Sequence, residues 1–154
     1  MTARAMYPLY NDVQSTPASA ASLAWINDYV GVPYRVNGRD RNGWDCWGLV
    51  LAVYRDQLGL ELPDWRRGEP FGLAAQVRAF RQAFRDAQGL ALELEAPAPF
   101  AIVLVAREPA PHHVGVVAGA GVLHCAAADA GTTWDPMRRF RATYAPLSWW
   151  QWHI

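Results

Sequence analysis

The sequence predicts an α+β domain, N-terminal helices packed on an antiparallel β-sheet, and the order of its segments carries that prediction. Three helical patterns occupy the first part of the chain, and strand-like runs separated by Gly and Pro dominate after Pro97-Ala98-Pro99. At 154 residues, 52% of them hydrophobic, the chain is the right size to bury one core, so residues 1–154 read as a single domain.

The first helix is expected to open near Ser15-Thr16-Pro17, with proline in the first turn, and to run to about Val30, where Gly31-Val32-Pro33 stops it. In the second, Cys46, Leu49, Val50, Val53, Tyr54 and Leu58 recur at helical spacing and Gly59 supplies the end. The third, over about 73–87, carries Val77, Phe80, Ala83 and Phe84 on one stripe with arginines around it. Strands are expected at 91–94, 101–105, 114–118, 122–126, 132–134 and 147–152.

Composition narrows the functional classes. Fourteen basic and fourteen acidic residues are interspersed and sum to zero, so the chain shows no electrostatic footprint for nucleic acid or an anionic membrane surface. Two cysteines are too few for a disulfide framework. No stretch is long and apolar enough to span a bilayer, and Met1-Thr2-Ala3-Arg4-Ala5-Met6-Tyr7-Pro8 lacks the apolar core of a signal peptide. The expectation is a protein made in the cytoplasm and carried elsewhere, if at all, by something other than its own leader.

Asp45-Cys46-Trp47-Gly48-Leu49-Val50 is the most informative segment. The Gly43-Trp44-Asp45 approach puts Cys46 in a first helical turn, where unpaired N–H groups favour a thiolate and offer an oxyanion site. Spacing alone leaves two readings open, a nucleophile or a small core side chain, and Asp45 reads equally as a helix N-cap.

The histidines sort by parity. Ala118-Gly119-Ala120-Gly121 is a hairpin connection, and an even-length loop pairs Val117 with Val122 and sets His113 opposite Ala126. His124 then lies diagonal to His113 on the same face, at roughly 7–8 Å between Cα atoms, while His112 and Cys125 point the other way. His113 is the candidate base and His124 the group that orients it. An odd-length loop would detach His124 from the site.

Trp25 through Gly31-Val32-Pro33-Tyr34-Arg35, then Gly43-Trp44-Asp45-Cys46-Trp47-Gly48-Leu49-Val50, Val53-Tyr54, Leu58-Gly59-Leu60-Glu61-Leu62-Pro63, His113-Val114-Gly115-Val116 and Val122-Leu123-His124 resemble the NlpC/P60 peptidases. The motifs stand in the family's order over a core of about residues 25–126. The resemblance implies a papain-like NlpC/P60 fold and cleavage of the bond between D-γ-glutamate and a diamino acid in a peptidoglycan stem peptide. It carries over Cys46 as nucleophile, His113 as base and His124 as third member, with Tyr34, Asp45 and Trp47 lining the substrate site. Tyr34 also reads as a half-buried ring packed over the helix start. The implied chemistry needs no metal or organic cofactor.

Three departures matter. Trp47 replaces the small residue that often follows the Cys, which resembles the family's bacteriophage tail-associated branch. The usual Pro-Gly-Asp ahead of the central strand is replaced by Ala98-Pro99-Phe100-Ala101, so that turn and its carboxylate are expected to be missing. The module is expected to stand without a targeting domain or anchor. These features imply a phage or prophage tail-tip component with tail-tip partners, acting from the virion tail at the bacterial envelope. The C-terminal Ser148-Trp149-Trp150-Gln151-Trp152-His153 alternates like a last strand, yet its three tryptophans are expected to expose an aromatic interface. Two other readings stay open: a structural tail-tip subunit with a vestigial site, and a zinc site of Cys46, His113 and His124. The second is weakened by the absence of any CxxC or HxxxH pair.

Overall fold

The computed structural model describes residues 20–64, 91–107, 110–129 and 131–152. The helix expected over 73–87 and the helix start expected near Ser15 lie outside them. Chain order gives a 3₁₀ helix (Ala20–Asp28), a small hairpin of β1 (Arg39–Asp40) and β2 (Gly43–Trp44), then helix α1 (Cys46–Val53) with a π-helical extension (Tyr54–Leu58). Strands β3 (Ala91–Leu94), β4 (Ile102–Arg107), β5 (Ala110–Ala118), β6 (Gly121–Ala126) and β7 (Gly131–Pro136) follow, then helix α2 (Met137–Thr143) and strand β8 (Ala145–Trp152).

The six longer strands form one antiparallel sheet in the order β3-β8-β4-β5-β6-β7. Its two faces separate cleanly by residue parity. Ile102, Leu104, Val114, Val116, Leu123, Cys125 and Trp152 join the larger core with α1, while Val103, Val105, Val117, Val122 and Trp149 join a second core with Phe140 of α2. The helix α1 is apolar all round because it is covered nearly all round: Cys46, Trp47, Gly48, Leu49, Val50, Ala52 and Val53 are buried and Leu51 is half-buried. Ile26, Tyr29, Val32 and Leu62 complete the core that contains it. Gly59, in the left-handed region at φ 66°, ends the helical segment as the sequence predicts. Among the described residues no helix is long and apolar enough to cross a membrane.

The segment after the 3₁₀ helix covers the start of the β7 edge of the sheet. Gly31 N donates to Thr132 O at 2.9 Å and Thr132 N to Val32 O at 2.8 Å, so Val32 and Pro33 run beside the edge strand and occupy its backbone groups. Pro136 ends β7, a position an edge strand tolerates.

Two expectations are corrected. The Ala98-Pro99-Phe100-Ala101 turn is present: Ala101 N donates to Ala98 O at 2.9 Å, and Phe100 takes the left-handed conformation (φ 63°) that glycine usually fills. Stacking of the Phe100 ring on Trp25, centroids 5.4 Å apart, and a hydrogen bond from the Tyr54 hydroxyl to Phe100 O hold it there. The C-terminal tryptophans, in turn, do not form an exposed interface. Strand β8 lies inside the sheet between β3 and β4, so Trp149 (8% exposed) fills the second core and Trp152 (6%) the first, with Trp150 half-buried.

Candidate active site

Cys46 is the first residue of α1, and Asp45 caps that helix. Oδ1 of Asp45 accepts from Gly48 N at 2.8 Å, the N-cap geometry that the sequence leaves as an alternative. The same oxygen accepts from Arg39 Nη1 at 2.9 Å, and Oδ2 accepts from Asn37 N at 3.0 Å. Arg39 continues to Asp64, Nε to Oδ1 at 2.7 Å, and Trp47 Nε1 donates to Pro63 O at 3.0 Å. The hairpin before the helix and the residues after it are thereby tied across the helix start. Gly48 allows the close approach, since a Cβ there would lie 2.5 Å from Gly38 O and 2.8 Å from Trp44 Cβ.

The electrostatics at Cys46 follow. The amides of the first helical turn have no preceding carbonyls within the helix, so their partial positive charge faces the thiol. The carboxylate of Asp45 next door opposes a thiolate, and the Arg39 guanidinium offsets it. Burial pushes the other thiol, Cys125, up to about 11; Cys46 and Asp45 add to the rise, while a hydrogen bond with Thr132 opposes it. Cys125 is therefore a protonated core thiol at neutral pH, with Sγ donating to Trp44 O at 3.5 Å.

The two-residue turn at Gly119-Ala120 supplies the even loop that the parity argument requires. Val117 pairs with Val122 and Gly115 with His124, leaving His113 on the diagonal. The imidazoles meet, His113 Nε2 to His124 Nδ1 at 3.0 Å, and His124 is fully buried. On its other side His124 Nε2 contacts Asp135 Oδ2 at 2.8 Å. Tyr144 stacks on His113 with centroids 5.3 Å apart, and Phe140 and Tyr144 meet the His124 ring edgewise, so both rings are clamped.

Helix α1 covers the Val114 and Val116 side of β5, whereas His113 and His124 alternate toward α2. One irregularity bears on how the imidazole is aimed. Val105 pairs with His113 but Ala106 with Pro111, so His112 is an extra residue bulged into β5 immediately before His113. Bulges bend a strand and re-aim the adjacent side chain.

The other residues singled out from the sequence fall as follows. Tyr34 is half-buried beside the α1 core, bridged to Trp44. Asp45 and Trp47 are buried, and the contacts above give them work in shaping the helix start. Among the described residues no group of three or more His, Cys, Asp or Glu side chains is arranged to hold a metal ion. The His113–His124 bond and the Asp135 contact engage both His124 nitrogens within the protein. Sequence reasoning missed Arg39, Asp135 and Tyr144. For Asp135 a signal existed: it stands two residues beyond Thr133, the partner of His124, on the face of the histidines, once the β6–β7 register is known.

The sheet and its buried helix form a papain-like α+β fold, and the profile of the NlpC/P60 family matches residues 31–140. The chain belongs to that family. It is 50% identical over 53 residues to the murein DD-endopeptidase MepS/murein LD-carboxypeptidase of Escherichia coli K12, a match covering 34% of this chain and 28% of that protein. It is 41% identical over 49 residues to the probable endopeptidase NlpC of the same strain, covering 29% and 32%. The matches thus span less than a third of these relatives' lengths. The NlpC/P60 domain of the peptidoglycan hydrolase SagA shares the fold, with a TM-score of 0.53 and 19% identity over 85% of this chain and 94% of that one.

Proposed function

We propose that the chain is a cysteine peptidase that hydrolyses amide bonds of peptidoglycan stem peptides. The observations that carry the reading are a cysteine at a capped N-terminus of the helix that covers the sheet and, on two strands of that sheet, buried histidines bonded to each other. The names of the Escherichia coli relatives agree with it.

In the proposed mechanism His113 takes the Cys46 proton, and thiolate and imidazolium form the resting pair. The thiolate adds to the amide carbonyl, and backbone N–H groups of the first α1 turn stabilise the oxyanion. His113 then protonates the leaving amine as the C–N bond breaks, giving an acyl-enzyme, and activates the water that hydrolyses it. His124 holds the His113 ring, and Tyr34 lines the approach. Asp45 and Trp47 serve by fixing the helix start.

The finer assignments rest on the resemblance. The proposed bond joins D-γ-glutamate to a diamino acid, and the proposed setting is a bacteriophage or prophage tail tip that delivers the protein to the cell envelope. The tail-tip assignment is supported by Trp47 after the nucleophile.

The test is digestion of purified muropeptides, with mass spectrometry of the new termini. The substrates include the D-γ-glutamyl bond and the DD and LD bonds for which the relative is named. Cleavage that disappears in Cys46→Ala supports the reading; no cleavage of any of these bonds overturns it. Tail genes beside its own would support the particle setting, and their absence would count against it.

A further inference from the structure

We propose that Asp135 is a positioning residue that fixes the direction of proton flow through the histidine pair. The proposal rests on the peptidase reading above for its consequence, and on geometry for its content. A carboxylate only accepts hydrogen bonds, so the 2.8 Å contact requires the His124 Nε2 proton to point at Asp135 Oδ2. A neutral imidazole carries one N–H, which leaves His124 Nδ1 as a lone pair. The 3.0 Å contact to that lone pair must then be donated by His113 Nε2–H. His113 Nδ1 is left as the basic nitrogen, the one able to receive the thiol proton. One carboxylate thus sets the tautomers of two rings in series, and its charge stabilises the imidazolium once His113 is protonated.

The surroundings favour such transmission. His124 is fully buried, so water does not scramble its tautomers, and Phe140 and Tyr144 hold both rings against flipping. Among the described residues, the titratable and charged groups facing the pair include Tyr144, stacked on His113, and Arg139 of α2, whose Nε lies 3.5 Å from Asp135 Oδ1. Arg139 is 76% exposed, and its pairing with Asp135 offers the competing explanation that the carboxylate merely anchors α2.

The experiment reads ring tautomers directly, in long-range ¹H–¹⁵N spectra of the full chain labelled with ¹⁵N-histidine, in a Cys46→Ala background that keeps His113 neutral. Above the histidine pKa range, both rings are expected as Nε2–H tautomers, with mixed tautomers after Asp135→Ala. A folded Asp135→Ala chain with unchanged tautomers overturns the proposal. Should that variant fail to fold, Asp135→Asn in the Cys46-containing protein decides. Its amide oxygen keeps the hydrogen bond but not the charge, so the pH at which Cys46 becomes alkylated should rise by about one unit. An unmoved profile overturns the proposal, and so does an equal shift in Arg139→Ala, which would assign the effect to the anchor. Locked tautomers in a wild-type chain that cleaves no muropeptide would support this ordering while sinking the peptidase reading.

Discussion

Gly115 and His124 are direct cross-strand partners, and a Cβ on Gly115 would stand 3.1 Å from His124 Cβ, 2.7 Å from Val122 Cγ1 and 3.1 Å from Leu123 O. The glycine of His113-Val114-Gly115 therefore makes room for the ring that His113 must reach. Gly115→Ala is expected to displace His124 from the 3.0 Å contact and lower turnover by about 100-fold, the cost of an ångström-scale misplacement. A steady-state assay beside a melting curve checks this, and unchanged activity would show that β6 shifts without disturbing the pair.

Cys46 is expected to be the only thiol alkylated by iodoacetamide near neutral pH. Burial holds the Cys125 proton to about 11, so its thiolate is absent until strongly alkaline conditions. The sign for stability follows from the same shift. In the unfolded chain Cys125 ionises in the ordinary thiol range, so its contribution is complete below that range and is lost as pH climbs to about 11. Melting temperatures should fall over that window, less steeply in Cys125→Ala; faster labelling of Cys125 than Cys46 would reverse the nucleophile assignment.

His113→Ala is expected to remove activity by at least the 10²–10⁴-fold, roughly, of a general base while leaving the chain folded. His112→Ala alters only the bulged residue and should stay within about tenfold of wild type. Equal, severe losses in both, measured as kcat/KM, would refute the choice between the neighbours.

Replacing Trp149 and Trp152 together by Ser is expected to unfold the domain, because the rings fill separate cores on opposite faces of the sheet. Each truncation should cost about 3–5 kcal/mol, and the two should add nearly independently. A denaturant midpoint within error of wild type would restore a surface role for this strand.

Phe100→Gly is expected to be less destabilising than Phe100→Ala. Both lose the stack on Trp25, but only glycine relieves the φ of 63°, a gain of about 1 kcal/mol. The opposite order in chemical denaturation would show that the turn carries no backbone strain.

Local pattern in the chain was enough for the α+β class, the six longer strands and the helix that starts at Cys46, and for the shared face of His113 and His124 once the loop between their strands has an even length. Those features are local: alternation with period two propagates along a strand, and a two-residue turn between glycine-rich flanks carries its parity into the next strand. The same locality misled at Phe100, where a bulky residue holds a glycine-like conformation because Trp25, distant in sequence, stacks on it. Long-range closure of the chain sets the rest: β8 inserts between β3 and β4 and so buries Trp149 and Trp152, and β7 presents Asp135 to His124. Strand order and the register across β6 and β7 depend on which chain segments close on one another, and that choice minimises exposed surface and unpaired backbone over the whole sheet. No window of neighbouring residues contains that sum.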